Sequence, residues 1–314
     1  MLDSILDTIG NTHLVQLPVL SSTSRKINVY GKIEYFNPGF SIKDRAALKM
    51  IESLEKTHDI KPGDTIVEST SGNTGHALAM ICAKKGYNLV CIVDPKTPKQ
   101  NILIYKAFGA NVLVVEEMDE NGSYQKVRIK TAKELSKKNG WINLDQYSNP
   151  GCWMANYEHT GKEIYQDLNG KIDVLVACVS TGGHLSGIAK FLIEHLTKKP
   201  LIVAVEPVGS VIFGGKPKPF KINGAGLSFV PKNYFSEYVD MELKCSDHNA
   251  FSMCRYIAKH EGILLGGSSG SVLSVISSLI NKGGIVEGSN VVGVLPDSGL
   301  KYIDTIYNDG TYDD

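Results

Sequence analysis

Apolar residues in this chain gather in short unbroken runs separated by turn residues and helical patterns. Residues 65–68, 88–93, 111–115, 172–179, 201–205 and 290–296 carry Val, Ile and Leu without regular polar alternation. Strands covered by helices on both faces show this pattern, whereas a half-solvated strand would alternate. A glycine-containing loop at 69–75 leads into a helical pattern at 76–80, and Asp94-Pro95 makes a turn after the next run. Strands alternating with helices predict a parallel sheet. The runs fall into two clusters, so the expected fold is α/β with two doubly wound open-sheet lobes. Turn residues gather at 146–151, which places the join there: one lobe over 1–148, the other over 149–314.

Composition narrows the function. The 314 residues suit roughly two domains of about 150. Lys and Arg number 33, balanced by 33 Asp and Glu, so no basic excess marks a nucleic-acid face. No apolar run approaches the roughly 18 residues of a membrane span. Met1-Leu2-Asp3-Ser4 shows no basic region followed by an apolar stretch, so no signal peptide is expected and the location expected is cytoplasmic. Six cysteines are scattered without a C-x-x-C pair, and eight histidines without an H-E-x-x-H pair. No metal is therefore expected, and the cysteines read as small core hydrophobes.

Three loops rich in glycine and hydroxyl groups are expected at strand-to-helix junctions: 69–75, 180–187 and 266–271. Free N–H groups and the positive helix end make such junctions anion sites. Hydroxyls and an amide in the first loop suit a carboxylate; the glycines of the second allow a phosphate close to the backbone. There is no G-x-x-x-x-G-K-[ST] and no G-x-G-x-x-G with its acidic partner, so a nucleotide-dependent α/β enzyme is disfavoured. Asn37-Pro38-Gly39 makes a turn that delivers Ser41 as the cap of a helix starting near Ile42. Lys43 then falls in the first turn, poorly placed for a cation on dipole grounds and suited to an amine that forms a Schiff base. A solvated surface lysine is the alternative.

In order along the chain, N-P-G-F-S-I-K-D-R, E-S-T-S-G-N-T-G, S-T-G-G-H-L-S-G and G-G-S-S-G-S resemble the fold-type II pyridoxal-phosphate enzymes. The near relatives are cysteine synthase and cystathionine β-synthase. Residues 7–12 and 295–299 match as well, so the resemblance spans nearly the whole chain. It implies a tryptophan synthase β-subunit-like fold with the active site between the lobes, about the first 35 residues joining the second lobe's sheet. It also implies pyridoxal 5'-phosphate as cofactor, small amino-acid substrates and a homodimer. Lys43 matches the Schiff-base lysine and general acid/base, and Asn73 the amide on the cofactor's phenolic oxygen. Thr70, Ser71, Thr74 and Gln146 match the substrate-carboxylate site. Ser180, Thr181, Gly182, Gly183 and His184 match the phosphate cradle, with His184 where the family usually has Thr or Ser. Its imidazole either donates to phosphate or turns outward. Ser268 matches the hydroxyl on the pyridine nitrogen, a neutral partner that favours elimination and replacement over transamination. Because Lys43 and Asn73 are both present, a catalytically silent relative is disfavoured.

The implied reaction is β-replacement on O-phospho- or O-acetyl-L-serine through an aminoacrylate. Residues 34–39, 93–96, 121–124, 209–214 and 224–228 resemble the siderophore-pathway branch, which joins O-phosphoserine to glutamate on the way to 2,3-diaminopropionate. Arg128 and Tyr147 match that branch near the incoming amino acid, although Arg128 also reads as a solvated helix arginine. Cysteine synthase or a cystathionine β-synthase-like enzyme is the alternative, and Phe40 resembles the sulfhydrylases. His13, in place of the usual proline, and Leu144-Asp145, which read as extra residues, depart from the family pattern.

Overall fold

The computed structural model describes residues 1–57, 60–120 and 122–308. The apolar runs form the strands, and the strands pair into two sheets. The smaller sheet holds β3 (Thr65–Ser69), β4 (Asn88–Val93), β5 (Asn111–Val114) and β6 (Ile142–Asn143), in the order β5-β4-β3-β6. All its pairings are parallel. The larger sheet holds β1 (Leu14–Gln16), β2 (Asn28–Ile33), β7 (Val174–Cys178), β8 (Leu201–Pro207), β9 (Met241–Cys245) and β10 (Asn290–Leu295). Its order is β1-β2-β10-β7-β8-β9, parallel except for β1 against β2. Both sheets carry helices as the alternation predicts. The fold is therefore α/β and doubly wound.

Most of the unbroken apolar runs follow from two-sided burial, but the edge strand β5 leaves Leu113 and Val114 exposed, against that expectation. Val174, Val176 and Cys178 of β7 pack in one core cluster with α8 (Asp247–Glu261) and α9 (Gly267–Asn281). Leu175, Ala177 and Val179 pack in another, with α7 (Gly183–His195). In the smaller sheet Ile66 packs toward α1 (Lys43–Thr57), α2 (Asn73–Lys85) and α3 (Lys99–Ala107). Val67 faces α4 (Tyr124–Asn139). α5 (Gly151–Ala155), a π turn at Asn156–Gly161 and α6 (Lys162–Asp167) run on as one helical stretch against α7. Gly187 makes that approach possible: a Cβ there would stand 2.1 Å from the Trp153 carbonyl oxygen.

A buried ionic network ties the larger sheet to α1. Arg45 Nε donates to Glu34 Oε2 at 2.7 Å, and its Nη1 to Glu163 Oε1 at 2.6 Å. Lys32 on β2, fully buried, lies 2.9 Å from Glu163 Oε2. Burial alone would raise the Glu163 pKa, but Arg45 and Lys32 hold it down at about 2.

One expectation is corrected. The third glycine loop does not follow a strand, because Leu265 makes only an isolated bridge to Ser298, and residues 267–271 are the first turns of α9 itself. A packed glycine-serine helix start reads like a loop because both residues have weak helical preference. The six cysteines are all buried and unpaired.

Candidate active site

In open α/β sheets, ligands bind outside the carboxyl ends of the strands where the strand order reverses. The smaller sheet reverses at β3/β6, and the larger at β10/β7. Residues 70–74 follow β3, 146–147 follow β6 and 180–184 follow β7, while Lys43 opens α1 after β2 and Ser268 lies in the first turn of α9.

After β3, the backbone of 69–75 is tied down by α3. Asn101 Nδ2 donates to the Ser71 carbonyl at 2.8 Å, and Tyr105 OH to the Gly72 carbonyl at 2.8 Å. Thr70 Oγ1 accepts the Gly75 N–H at 3.0 Å. Gly75 allows the Tyr105 ring to pass, since a Cβ would stand 2.5 Å from it. After β6, Gln146 reaches the same loop. Thr74 Oγ1 donates to Gln146 Oε1 at 2.7 Å, while Gln146 Nε2 donates to the Ser69 carbonyl at 3.0 Å and Glu68 Oε1 at 3.1 Å. Thr70, Ser71, Thr74 and Gln146 thus come together. Sequence reading missed Glu68, although it opens the E-S-T-S-G-N-T-G motif. Burial pushes its carboxyl up to about 8, and its Oε2 has no partner.

After β7, Gly182 adopts φ +84°, and a Cβ there would meet the Tyr234 backbone N at 2.6 Å. Glycine suits both demands. The next residues open α7, whose first N–H groups lack intrahelical partners. Ser180 and Thr181 line the approach, with Thr181 buried. His184 is 4% exposed, so it does not turn outward. The ring lies against the Cys178 backbone, and Nε2 is buried without a partner. Burial, then the nearby Lys43 charge, lowers the His184 pKa to about 3, so the ring is neutral.

Lys43 is the first residue of α1, one position later than expected, and its N–H bonds Ser41 Oγ at 3.3 Å. The Ile42 N–H donates to the Pro296 carbonyl at 2.9 Å, pinning this loop to the end of β10. The Lys43 side chain is half-buried and lies near enough to Cys152, Cys178 and His184 to act on their ionisation. Burial pushes the Cys178 thiol up to about 12, and Ser268 hydrogen-bonds it. Ser268 is 1% exposed. Lys43, His184 and Ser268 therefore surround the carboxyl end of β7. Asn73, the first residue of α2, reaches across: its Nδ2 donates to Asp297 Oδ2 at 2.8 Å.

Arg128 lies on α4 and is buried, which excludes the solvated alternative. Its Nε is 3.1 Å from Asp94 Oδ2, with the N–H not aimed at that oxygen, so this is an ion pair rather than a hydrogen bond. Nη1 has no partner. The guanidinium acts on Tyr105, which lies against the 69–75 loop, and on Tyr147. Tyr147 OH accepts from Gln125 Nε2 at 3.4 Å, and Gln125 Oε1 accepts from Ser228 Oγ at 3.1 Å. Asn121 lies outside the described residues. Asp145 takes a positive φ of 49°, pairing with Lys133 at 3.2 Å and accepting from Ser148 Oγ at 2.7 Å, so the apparent extra residues make the turn that presents Gln146.

Comparison with known proteins accords with this geometry. Residues 5–297 match the family of pyridoxal-phosphate dependent enzymes. O-ureido-L-serine synthase is 32% identical with a TM-score of 0.91, covering 100% of this chain and 97% of its own. An O-ureido-L-serine-bound mutant of that enzyme gives the same identity and TM-score, with 96% of its own length covered. A hydrogen sulfide-producing enzyme from Fusobacterium nucleatum is 36% identical with a TM-score of 0.88, covering 96% of this chain and 98% of that one. An O-acetylserine dependent cystathionine β-synthase from Helicobacter pylori is 30% identical with a TM-score of 0.88, covering 99% of each chain. On this match the chain belongs to the pyridoxal-phosphate dependent enzymes, within the fold-type II group of cysteine synthase and cystathionine β-synthase, and pyridoxal phosphate is its cofactor.

Proposed function

We propose that the protein replaces the β-oxygen substituent of an O-activated L-serine, acetyl or phosphoryl, with the amine of an amino acid such as L-glutamate. One of the similar proteins is dependent on O-acetylserine, which supports the first substrate, and another is named for making a serine substituted on its oxygen, O-ureido-L-serine. The buried, partly unpartnered Arg128 carries the choice of the second.

The residues fit the cofactor. A buried Nε2 on His184 without a partner, beside the glycines that open α7, suits a phosphate. A dianion there favours the imidazolium, whose second N–H would then donate. Ser268 would meet the pyridine nitrogen, Asn73 the phenolic oxygen, and Lys43 would carry the cofactor covalently. Bound there, pyridoxal phosphate supplies the electron sink that labilises the α-proton of an amino acid and lets a β-substituent leave. Lys43 Nζ takes the proton from the substrate's α-carbon and returns it after the nucleophile adds. Thr70, Ser71 and Thr74 hold the substrate carboxylate through hydroxyls and N–H groups at the start of α2. The Gln146 donor points inward, to Ser69 and Glu68, and its oxygen takes the Thr74 hydroxyl. Carboxylate binding therefore competes for Thr74, and Gln146 steadies that hydroxyl.

Arg128→Ala tests the second substrate. A charge-assisted hydrogen bond contributes about 1.5–3 kcal/mol, and about 1.4 kcal/mol is tenfold. The apparent affinity for glutamate should fall about ten- to a hundredfold, while release of the β-substituent from O-acetylserine and any reaction with sulfide stay near wild type. A variant that loses release from O-phosphoserine alone would move Arg128 to the leaving group. Unchanged kinetics with every substrate would overturn the role.

A second reading has its own support. The cystathionine-forming neighbour favours a thiol nucleophile, and the hydrogen sulfide-producing one favours sulfur chemistry more broadly. Competition between sulfide, homocysteine and glutamate for one holoenzyme, with products identified by mass, separates the two.

A further inference from the structure

The short turn Gly299–Tyr302, which follows the L-P-D-S-G motif, holds a lysine with no part in the reading so far. Lys301 Nζ donates to Asn73 Oδ1 at 2.6 Å. On the other side of the amide, Asn73 Nδ2 donates to Asp297 Oδ2 at 2.8 Å, and the same oxygen accepts from Tyr302 OH at 2.7 Å. An ammonium has only donors and a carboxylate only acceptors, so the two ends of the Asn73 amide are distinguished chemically and a flip would break both contacts.

Lys301 is held where a cation is costly. It is half-buried, and burial lowers its pKa against the pull of Asp297 and Asp44. Both carboxylates are buried, and each keeps one oxygen without a hydrogen-bond partner. Burial pushes the Asp44 carboxyl up to about 7. Lys301 also stands 3.4 Å from the Gly39 carbonyl, on the loop that carries Lys43. Of its two hydrogen bonds among the described residues, the one to the Asn73 amide is the shorter, 2.6 Å against 3.4 Å to that carbonyl.

We propose that Lys301 is a positioning residue that acts through Asn73, fixing and polarising its amide so that Nδ2 keeps its second N–H for the cofactor's phenolic oxygen. The inference rests on the assignment of Asn73 made above. A charged partner roughly doubles the strength of a hydrogen bond, and bonds in a chain reinforce one another. Losing the ammonium should therefore weaken the donor at the far end of the amide and leave it free to flip.

The test strips pyridoxal phosphate from the holoenzyme and titrates it back, recording affinity and the absorption band of the bound cofactor, for Lys301→Met, Asn73→Ala and the double variant. Each single change is expected to weaken affinity about tenfold, the size of one charge-assisted bond, and to shift the band. The double variant should be little worse than either, because both remove one interaction. Lys301→Arg, which keeps a charged donor, should restore the wild-type band. If Lys301→Met does not fold, Lys301→Gln carries the test: it retains an N–H donor without charge and should fall between wild type and Asn73→Ala. Loss of affinity in Asn73→Ala with none in the Lys301 variants overturns the proposal and leaves the Asn73 assignment standing. Additive losses in the double variant also overturn it. An Asn73→Ala enzyme with unchanged affinity and band overturns the assignment itself, and the proposal with it.

Discussion

Lys43→Ala is expected to abolish turnover while the chain stays folded. Proton transfer by a positioned side chain is worth about 10²–10⁴-fold in rate, and the covalent hold on the cofactor is lost as well. Of the other lysines held inside the fold among the described residues, Lys301 is bound to Asn73 and Lys32 lies in the network with Glu163. The fold should tolerate the change. Lys43 opens α1, its side chain is half-buried, and alanine is the best helix former. Circular dichroism should match wild type, while the steady-state rate falls to background and the visible band of lysine-bound cofactor disappears. More than trace replacement activity would refute the assignment.

Arg45→Met is expected to be among the most damaging substitutions for stability. It removes the guanidinium that joins Glu34 and Glu163, and Glu34 would be left fully buried with only its contacts to Asn37 and Thr12. Breaking a buried pair from one side costs about 3–5 kcal/mol, to be read as a lower urea midpoint with unchanged slope. The same network gives a pH signature. Glu163 is depressed from 4.5 to about 2, so its contribution is present above the unfolded value and lost as pH falls through that window. In Arg45→Met the loss of stability between about pH 4.5 and 2 should be smaller. A variant as stable as wild type would show that the network is dispensable.

The apolar pattern made β3, β4, β7, β8 and β10 legible because two-sided burial leaves an unbroken run. It left β1, β2, β6 and β9 unseen for physical reasons. β2 carries Lys32 inward to Glu163, so charge interrupts its pattern. β9 sits at the sheet edge, with polar Glu242 and Lys244 on its exposed positions, and β6 has two residues. At the site, the motifs drew attention to Lys43, His184 and Ser268, which the fold gathers at the end of β7, and to Asn73 and Gln146, which follow β3 and β6. Lys301 and Glu68 were not legible: each acts on another side chain across a long separation, 228 residues for Lys301 and 78 for Glu68. Only the folded chain could show that Arg128 is buried, since α4 has a weakly apolar sequence dominated by exposed lysines.

Release of the β-substituent in the absence of any nucleophile tests the central claim most directly. Holoenzyme given O-acetyl-L-serine alone should release about one acetate per active site in a burst, because the first half-reaction needs only Lys43 and the bound cofactor. Adding L-glutamate should then restart acetate release and yield one product, the mass of glutamate plus the three-carbon amino acid joined through nitrogen. Acetate that appears only when both substrates are present, or a burst without any β-substituted product from glutamate, sulfide or a thiol, would contradict the account.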